Sequence, residues 1–305
     1  MAAFLLKRLF HGLAVLWVVA TLTFVLLRLA PGGPFDRERR LPPEVLANIE
    51  AKYHLDEPLL RQYLRYLSAI VRGDLGPSYK YTSRGVNEII AETLPTSALL
   101  GLLAIAFTVL VSFPMGLIAA HFRDSWLDRL CMLGAALGIS LPHFILGALL
   151  LWLFALQLGW LQAGRWDTVG SVILPTIALG AAPAAYIAAL LRATLIENLG
   201  EDFIRTARAK GLRERTVLFK HSLRHSLLPV LTVMGPLTAA LLTGSFVIEY
   251  LFAIPGMGRF FITAVTDRDY PLMMGVTLVY TALLVIANFL VDLLYSYIDP
   301  RIRAY

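Results

Sequence analysis

Few residues of this chain combine the types and spacings that a chemical site requires. His221 and His225 stand four apart and would share a helix face, but no HExxH glutamate accompanies them, so they make a poor zinc site. Ser245 is the nearest candidate for a buried nucleophile, yet no GxSxG surrounds it and no histidine is obviously placed as its base. The chain also lacks a GxxxxGK[ST] motif, which predicts that it does not hydrolyse ATP itself. Cys131 is the one cysteine and excludes an internal disulfide.

The most strongly charged stretch is FIRTARAKGLRERTVLFKHSLRHSLLP, which runs from Phe203 to Pro229 between long apolar runs. Its basic residues are Arg205, Arg208, Lys210, Arg213, Arg215, Lys220 and Arg224. A DNA-binding helix-turn-helix is disfavoured, because these residues form no single recognition face and apolar runs tether the stretch at both ends.

The same stretch predicts two helices, one from about Glu201 to Lys210 and one from about Arg213 to Leu227, with Gly211 in the left-handed conformation that ends a helix. The small residues Ala207, Ala209 and Gly211 would then make a shallow surface that fits a groove of another protein. Anionic lipid is the alternative partner for so basic a segment.

The elements that must position these residues are membrane helices. The chain has 305 residues, of which 58% are hydrophobic and 16% charged, whereas a soluble domain usually has about 25% charged residues. Its apolar residues lie in six runs of about the length that crosses a bilayer. The runs are Leu9–Leu29, Leu94–Ala120, Leu130–Leu158, Ile173–Leu191, Leu227–Ile248 and Leu272–Tyr295. This pattern predicts an all-α polytopic membrane protein with six transmembrane helices in one domain, residues 1–305.

The distribution of charge predicts the orientation. Loops on one side, including both termini and the basic stretch, carry an excess of basic over acidic residues, while the other side is balanced. Cytoplasmic loops are enriched in Lys and Arg. We therefore expect cytoplasmic termini, a long outside loop at residues 30–93 and a cytoplasmic loop at residues 192–226 between spans 4 and 5.

The outside loop is too long for a plain linker and carries helix signals. Pro42 and Pro43 precede one expected helix, and Asp56 can cap a second that ends at Gly73. The second helix has an apolar face formed by Leu60, Tyr63, Leu64, Leu67 and Val71. That face is expected on the membrane surface or against the spans, as a structural cap or a partner contact.

Small residues and prolines mark the spans. Gly134 and Gly138 form a GxxxG pattern that favours close helix packing. Prolines that tend to kink helices occur at Pro114, Pro142, Pro175, Pro183 and Pro236. Polar or helix-breaking residues within spans are candidates to line a path, although an interhelical hydrogen bond or a helix cap explains them as well. These candidates are Pro142, His143, Asn288 and Asp292.

The segment TARAKGL followed by LLPVL resembles the cytoplasmic EAA-type loop of permeases from binding-protein-dependent ABC importers. Further segments, in order along nearly the whole chain, resemble the B-type subunits of oligopeptide permeases. They are LLRLAPGGPF, LPPEVLANIEAKYHLDEP, GDLGPSYKY, FIRTARAKGL, FVIEYLFAIPGMGRFF, RDYPL and YIDPRIRAY. Two features depart from the general loop pattern: Arg205 replaces the acidic residue, and the spacing from Gly211 to Pro229 is longer. Both look typical of the peptide branch.

The resemblance implies a non-enzymatic transport subunit of the bacterial cytoplasmic (inner) membrane, forming half of a path for oligopeptides. It implies a second related permease, two cytoplasmic ATPases that use ATP and Mg, and a peptide-binding protein outside, with membrane lipid but no nucleic acid as a further partner. No cofactor or metal is expected on this chain. A permease for dipeptides, nickel or another small solute is the alternative, and an ion-driven secondary transporter is the rival mechanism.

The resemblance also assigns roles to two short segments. The expected ATPase-coupling residues are Arg205, Thr206, Ala207, Arg208, Ala209, Lys210, Gly211 and Leu212. The expected outside turn near a binding-protein dock consists of Pro255, Gly256, Met257 and Gly258.

Overall fold

The computed structural model describes residues 2–31, 33–35, 51–81, 83–164, 166–242 and 245–298. In chain order its helices are α1 (Ala2–Leu29), α2 (Leu59–Val71), α3 (Val86–His121), α4 (Trp126–Ser140), α5 (His143–Leu150), α6 (Val169–Leu199), α7 (Asp202–Ala209), α8 (Glu214–Thr216), α9 (Leu223–Leu242), α10 (Phe246–Leu251), α11 (Met257–Thr266) and α12 (Tyr270–Ile298). π-Helical segments follow α5 at Leu151–Gln157 and α8 at Val217–Ser222. The expectation of an all-α chain is confirmed, since these described ranges contain no strand beyond an isolated bridge between Pro77 and Gly85.

The six expected spans correspond to five single helices and one bent pair. Within the described ranges, the helices long and apolar enough to cross a membrane are Leu6–Leu29, Val86–His121, Val169–Leu199, Glu214–Leu242 and Tyr270–Leu293. The pair Trp126–Ser140 and His143–Gln157 supplies a sixth if it counts as one span. Large apolar side chains such as Phe10, Leu110 and Leu156 are exposed on these helices, as expected for surfaces that face lipid.

The run Leu130–Leu158 is interrupted at Pro142, one of the prolines predicted to kink a helix. α4 and α5 meet at an angle of 107°. Leu141 adopts an extended conformation before Pro142, because the proline ring disfavours a helical residue ahead of it. The prolines at 114, 175, 183 and 236 instead lie inside continuous helices.

Helices extend into both predicted loops. α3 begins at Val86, within the loop predicted at residues 30–93. α6 continues to Leu199 and a helix resumes at Glu214, within the loop predicted at residues 192–226, and the two loop assignments stay predictions. Polar residues extend these helices beyond the apolar runs because backbone hydrogen bonding does not require apolar side chains. The helix expected after Pro43 and the expected cytoplasmic placement of Arg301 and Arg303 lie outside the described residues.

The chain divides into two units, and one of them comprises residues 98–254 and 286–305. α6 is its central helix and packs against α4, α5 and α9. Small residues allow this approach: a Cβ on Gly180 would lie 2.9 Å from the carbonyl oxygen of Ala104, and one on Gly138 would lie 2.8 Å from the Cβ of Ala185. Of the predicted GxxxG pair, only Gly138 is tightly packed, since a Cβ on Gly134 would meet its nearest neighbour at 3.6 Å.

The other unit comprises residues 1–97 and 255–285. In it α2 lies against α1, with Tyr63 Oη and Thr21 Oγ1 2.7 Å apart and the Phe24 ring 5.3 Å from the Tyr63 ring. α2 ends as predicted at Gly73, whose φ is +75°. Its N-cap is Pro58, not the predicted Asp56.

Tyrosines between α1 and the following loop are largely buried. Burial raises the pKa of the Tyr66 phenol to about 12, and it raises the pKa of Tyr79 to about 12 as well. Both groups stay neutral under ordinary conditions because the charged phenolate would lose its hydration.

Candidate functional site

The short helix α7 is the centre of the predicted coupling segment. Its inward side chains Ile204 and Ala207 are buried with Val217, and Leu199 at the end of α6 packs against them. The remaining segment residues are exposed, namely Arg205, Thr206, Arg208, Ala209, Lys210, Gly211 and Leu212. α7 therefore packs against neighbouring residues of this chain through a small apolar face and presents a cationic face outward.

The expectation that Ala207 shares an outward surface with Ala209 and Gly211 is wrong. Ala207 is only 6% exposed, because it falls one turn after Ile204 on the face that packs inward. The outward surface is made instead by Thr206, Ala209 and the residues of the following turn.

Gly211 ends α7 as the sequence predicts. Its φ is +75°, its N–H donates to the carbonyl oxygen of Arg208 at 2.9 Å, and the N–H of Leu212 donates to that of Ala207 at 3.4 Å. A Cβ added at Gly211 would meet nothing within 4 Å. The glycine is therefore required by its left-handed backbone and not by crowding.

Two ion pairs hold the charged side chains of α7. Arg208 bonds Glu214 across the turn, with Nε 2.8 Å from Oε1 and Nη2 3.3 Å from Oε2. Arg205 pairs with Asp202 at 3.2 Å, but both side chains are largely exposed. Such an exposed pair contributes little to stability. Arg205 is thus available to contact a partner.

Hydrogen bonds join the two long helices that flank α7. Asn198 Nδ2, near the end of α6, donates to Ser226 Oγ of α9 at 2.7 Å. Ser226 Oγ also donates to the carbonyl oxygen of Ser222 in the π-helical segment. π-Helical segments occur frequently at functional sites. The His225 ring lies 4.9 Å from the Phe203 ring, so this histidine makes an aromatic contact with α7.

A buried ion pair that the sequence did not single out joins α4 to α6. Arg192 Nε and Nη2 donate to the two carboxylate oxygens of Asp128, each at 2.6 Å. The Asp128 side chain is 4% exposed and also accepts the N–H of Asp124. Because two hydrogen bonds join the same two side chains, the pair fixes both the position and the orientation of α4 relative to α6. Its sequence signal was weak, because the two residues lie 64 positions apart at the ends of separate apolar runs.

The predicted path-lining residues Pro142 and His143 lie at the break between α4 and α5. His143 Nε2 is 3.1 Å from Ser245 Oγ, which is within hydrogen-bonding distance. The expectation that no histidine reaches Ser245 is therefore wrong. The serine serves as the N-cap of α10, where its hydroxyl oxygen accepts the N–H of Ile248 at 3.4 Å. This arrangement joins two helix breaks.

The other two predicted path residues lie on α12. Asn288 and Asp292 are one turn apart and half-buried. Another acid, Glu249 in α10, is fully buried and was missed because it directly follows an apolar run. The path-lining role of Asn288 and Asp292 stays a prediction.

The expectation that Pro255 to Gly258 form an exposed outside turn is wrong for three of the four residues. Gly256, Met257 and Gly258 are buried at the start of α11, and Pro255 alone is exposed. Met257 has no exposed surface, and its N–H donates to Ser97 Oγ at 2.8 Å. Its thioether side chain packs in an apolar core because α11 turns its first residues inward.

The RDYPL segment contributes a further buried carboxylate. Asp269 is 1% exposed and bonds to the hydroxyl of Ser78, to the N–H of Tyr79 at 3.2 Å and to the N–H of Leu272 at 3.2 Å. Asp269 therefore attaches the segment around Ser78 to the first turn of α12.

Comparison with known proteins covers nearly the whole chain. A family described as "Binding-protein-dependent transport system inner membrane component" matches residues 112–304, and the N-terminal family of the same systems matches residues 1–101. The chain is 47% identical to the dipeptide transport system permease protein DppB of Bacillus subtilis over 99% of this chain and 98% of that protein. It is 46% identical to the oligopeptide transport system permease protein OppB of Haemophilus influenzae, over 99% of this chain and all of that protein.

Solved structures support the fold. A chain of an amino acid ABC transporter crystallised with histidines matches with a TM-score of 0.53 and 18% identity, over 68% of this chain and 92% of that chain. A chain of a methionine ABC transporter in inward-facing conformations matches with the same TM-score and identity, over 69% of this chain and 96% of that chain.

Proposed function

The chain belongs to the family of binding-protein-dependent transport system inner membrane components, and from this premise we propose that it is one of two permease subunits in an ATP-driven importer of short peptides. The observation that carries the proposal is near-full-length similarity, at 46–47% identity, to permeases of named peptide transport systems. Oligopeptides are the proposed substrates. Dipeptides are the second candidate, because the relative named for dipeptide transport is as similar as the one named for oligopeptides.

We propose that the exposed face of α7 and the turn at Gly211 dock on a cytoplasmic ATPase. The support is geometric: the helix is short, cationic outside, seated on its own chain through Ile204 and Ala207, and ended by a left-handed glycine. Ala207 takes part as the residue that seats the helix, and its neighbours make the contact.

The connections of α7 suggest how docking would move the membrane helices. ATP binding and hydrolysis in the ATPases would displace α7, its apolar contact with Leu199 would move α6, and the Asn198–Ser226 hydrogen bond would make α9 follow α6. The ion pair of Asp128 with Arg192 would make α4 follow α6. Rigid-body movement of connected helices between two states is a recurrent switching mechanism.

We propose that the peptide path includes Pro142, His143, Asn288 and Asp292. A peptide carries many backbone polar groups, which need polar partners or water within a membrane. The break at Pro142 and the adjacent His143–Ser245 contact place polar atoms within the span region. The half-buried positions of Asn288 and Asp292 are compatible with the same role.

The proposed assembly contains this chain, a second permease, two ATPases that hold ATP and Mg, and a peptide-binding protein outside. The proposed location is the bacterial inner membrane, with both termini in the cytoplasm. Of the four residues expected at the binding-protein dock, Pro255 is the one that remains exposed for such a contact.

Reconstitution of the assembly in vesicles tests the proposal. Peptide uptake should require ATP, the ATPases and the binding protein, and a series from dipeptides to longer peptides should show which length stimulates ATP hydrolysis most. Uptake driven by an ion gradient in vesicles that lack the ATPases would instead establish a secondary transporter. Stimulation by a metal ion or another small solute, with none by any peptide, would contradict the substrate assignment.

A further inference from the structure

The amphipathic helix α2 has three distinct faces, and among the described residues one of them packs against the rest of the chain. Gln62 accepts hydrogen bonds from Nε and Nη2 of Arg28, and Tyr63 and Tyr66 lie against Phe24 of α1. This polar and aromatic face attaches α2 to α1. The sequence had grouped Tyr63 with the apolar residues of α2, but the structure separates them.

The second face of α2 is apolar and mostly exposed. It consists of Leu60, Leu64, Leu67 and Val71, at spacings i, i+4, i+7 and i+11. Leu60 is 68% exposed, Leu64 56% and Val71 87%. An amphipathic helix usually buries its apolar stripe against a core. The stripe of α2 is mostly uncovered, so it needs an apolar environment outside this chain.

The third face is polar and mostly basic, and each of its residues directly follows a residue of the apolar face. It consists of Arg61, Arg65, Ser68 and Arg72. Arg65 bonds Glu57 at 2.7 Å. Arg61 and Arg72 are exposed and have no ion pair within the described part of the chain. A cationic stripe therefore runs directly beside the apolar one.

The contacts with α1 place α2 at the depth of a membrane boundary. α1 is a candidate span that ends at Leu29, and its contact residue Thr21 lies eight positions earlier, about 12 Å along the helix. Arg28 contacts α2 in the last turn. α2 has 13 residues, whereas crossing a bilayer takes about 20. It therefore lies beside the end of a span without being one itself.

We propose that α2 lies in the membrane plane, in the leaflet where α1 ends, with its leucine stripe among the lipid acyl chains and its arginines at the lipid phosphates. Apolar and cationic stripes side by side match the boundary between acyl chains and headgroups, which is where helices of this composition bind. The lipid contact fixes α2 at the membrane surface. A protein groove is the competing occupant.

Fluorescent labelling at two adjacent positions tests this orientation. In a Cys131→Ser background, Leu64→Cys and Arg61→Cys are each labelled with an environment-sensitive dye, and the complete transporter is placed in nanodiscs of phosphatidylcholine and phosphatidylglycerol. The label at Leu64 should be quenched several-fold more by acyl-chain spin labels than by aqueous iodide, and the label at Arg61 should show the opposite preference. Val71→Cys provides a second position on the apolar stripe if Leu64→Cys does not assemble.

Two results would overturn the proposal. One is a label at Leu64 or Val71 that iodide quenches as strongly as the label at Arg61. The other is shielding that appears only after the binding protein is added, which would make the stripe a protein interface.

Lipid composition tests the basic stripe separately. Arg61→Glu with Arg72→Glu should lower the enrichment of phosphatidylglycerol around the transporter by at least about five-fold. Arg213→Glu with Arg215→Glu, on the opposite side of the membrane in the proposed orientation, serves as a matched change of charge. Unchanged enrichment in the double variant would show that the arginines do not contact lipid phosphates.

Discussion

Replacing Gly211 by alanine should impair coupling through the backbone alone. The residue has φ +75°, and an added Cβ would meet nothing within 4 Å, so no steric clash with neighbours contributes. The remaining cost is the left-handed conformation, about 1–2 kcal/mol for an ordinary L-residue. If docking requires this helix end, the competent population should fall about 5- to 30-fold. Asparagine tolerates the left-handed conformation better, so Gly211→Asn should retain more activity than Gly211→Ala.

A matched control is provided by Gly73 at the end of α2. It has the same φ of +75°, it likewise has no atom within 4 Å of an added Cβ, and it ends a helix through comparable backbone hydrogen bonds. Gly73→Ala should therefore carry a similar strain without affecting the ATPase contact. The assay is peptide-stimulated ATP hydrolysis by the reconstituted transporter, with thermal stability measured in parallel. Wild-type stimulation in Gly211→Ala, or an equal loss in Gly73→Ala, would refute the reasoning.

Three further results are expected. Asp128→Ala should lower stability by about 1.5–3 kcal/mol, because it removes the carboxylate that accepts both hydrogen bonds of the partly buried Arg192 guanidinium, and a denaturation curve checks this against wild type. The raised pKa of Tyr79 means that its stabilising contribution is complete below about pH 10 and is lost as pH rises toward about 12. At pH 11 this loss should approach roughly 1 kcal/mol, and Tyr79→Phe should remove it from a pH series of melting temperatures. Met257→Cys should resist a membrane-impermeant thiol reagent while Pro255→Cys reacts, and equal labelling of the two would contradict the burial of Met257.

The coupling segment shows how far local patterns carry a prediction. The sequence correctly indicated a short helix, its glycine end and a second helix, because charges near helix ends and a left-handed residue are local requirements. It placed Ala207 on the wrong face. The eight residues of α7 contain too few apolar positions to define an inward side, and Val217, which covers Ala207, belongs to the next helical segment.

The polar contacts between distant residues were the hardest to assign. His143 and Ser245 meet across 102 positions, and Asp128 meets Arg192 across 64, through the packing of helices whose register the apolar runs do not specify. Met257 was misplaced for a related reason. Its segment IPGMG reads as a turn, but the helix that starts there points its first side chains into a core.

By itself the sequence determined the class of molecule, the number of apolar runs and the family. These depend on run length, composition and motif order, which are properties of the chain read one segment at a time. Only the tertiary structure decided that the chain bends by 107° at Pro142 while the prolines at 175 and 183 lie inside a continuous helix, and that α7 packs through Ala207. The same structure turned the leucines of α2 away from the protein while its tyrosines attach to α1. The physical reason is that the packing partners of a helix determine which of its faces is buried, and the partners here come from distant parts of the chain.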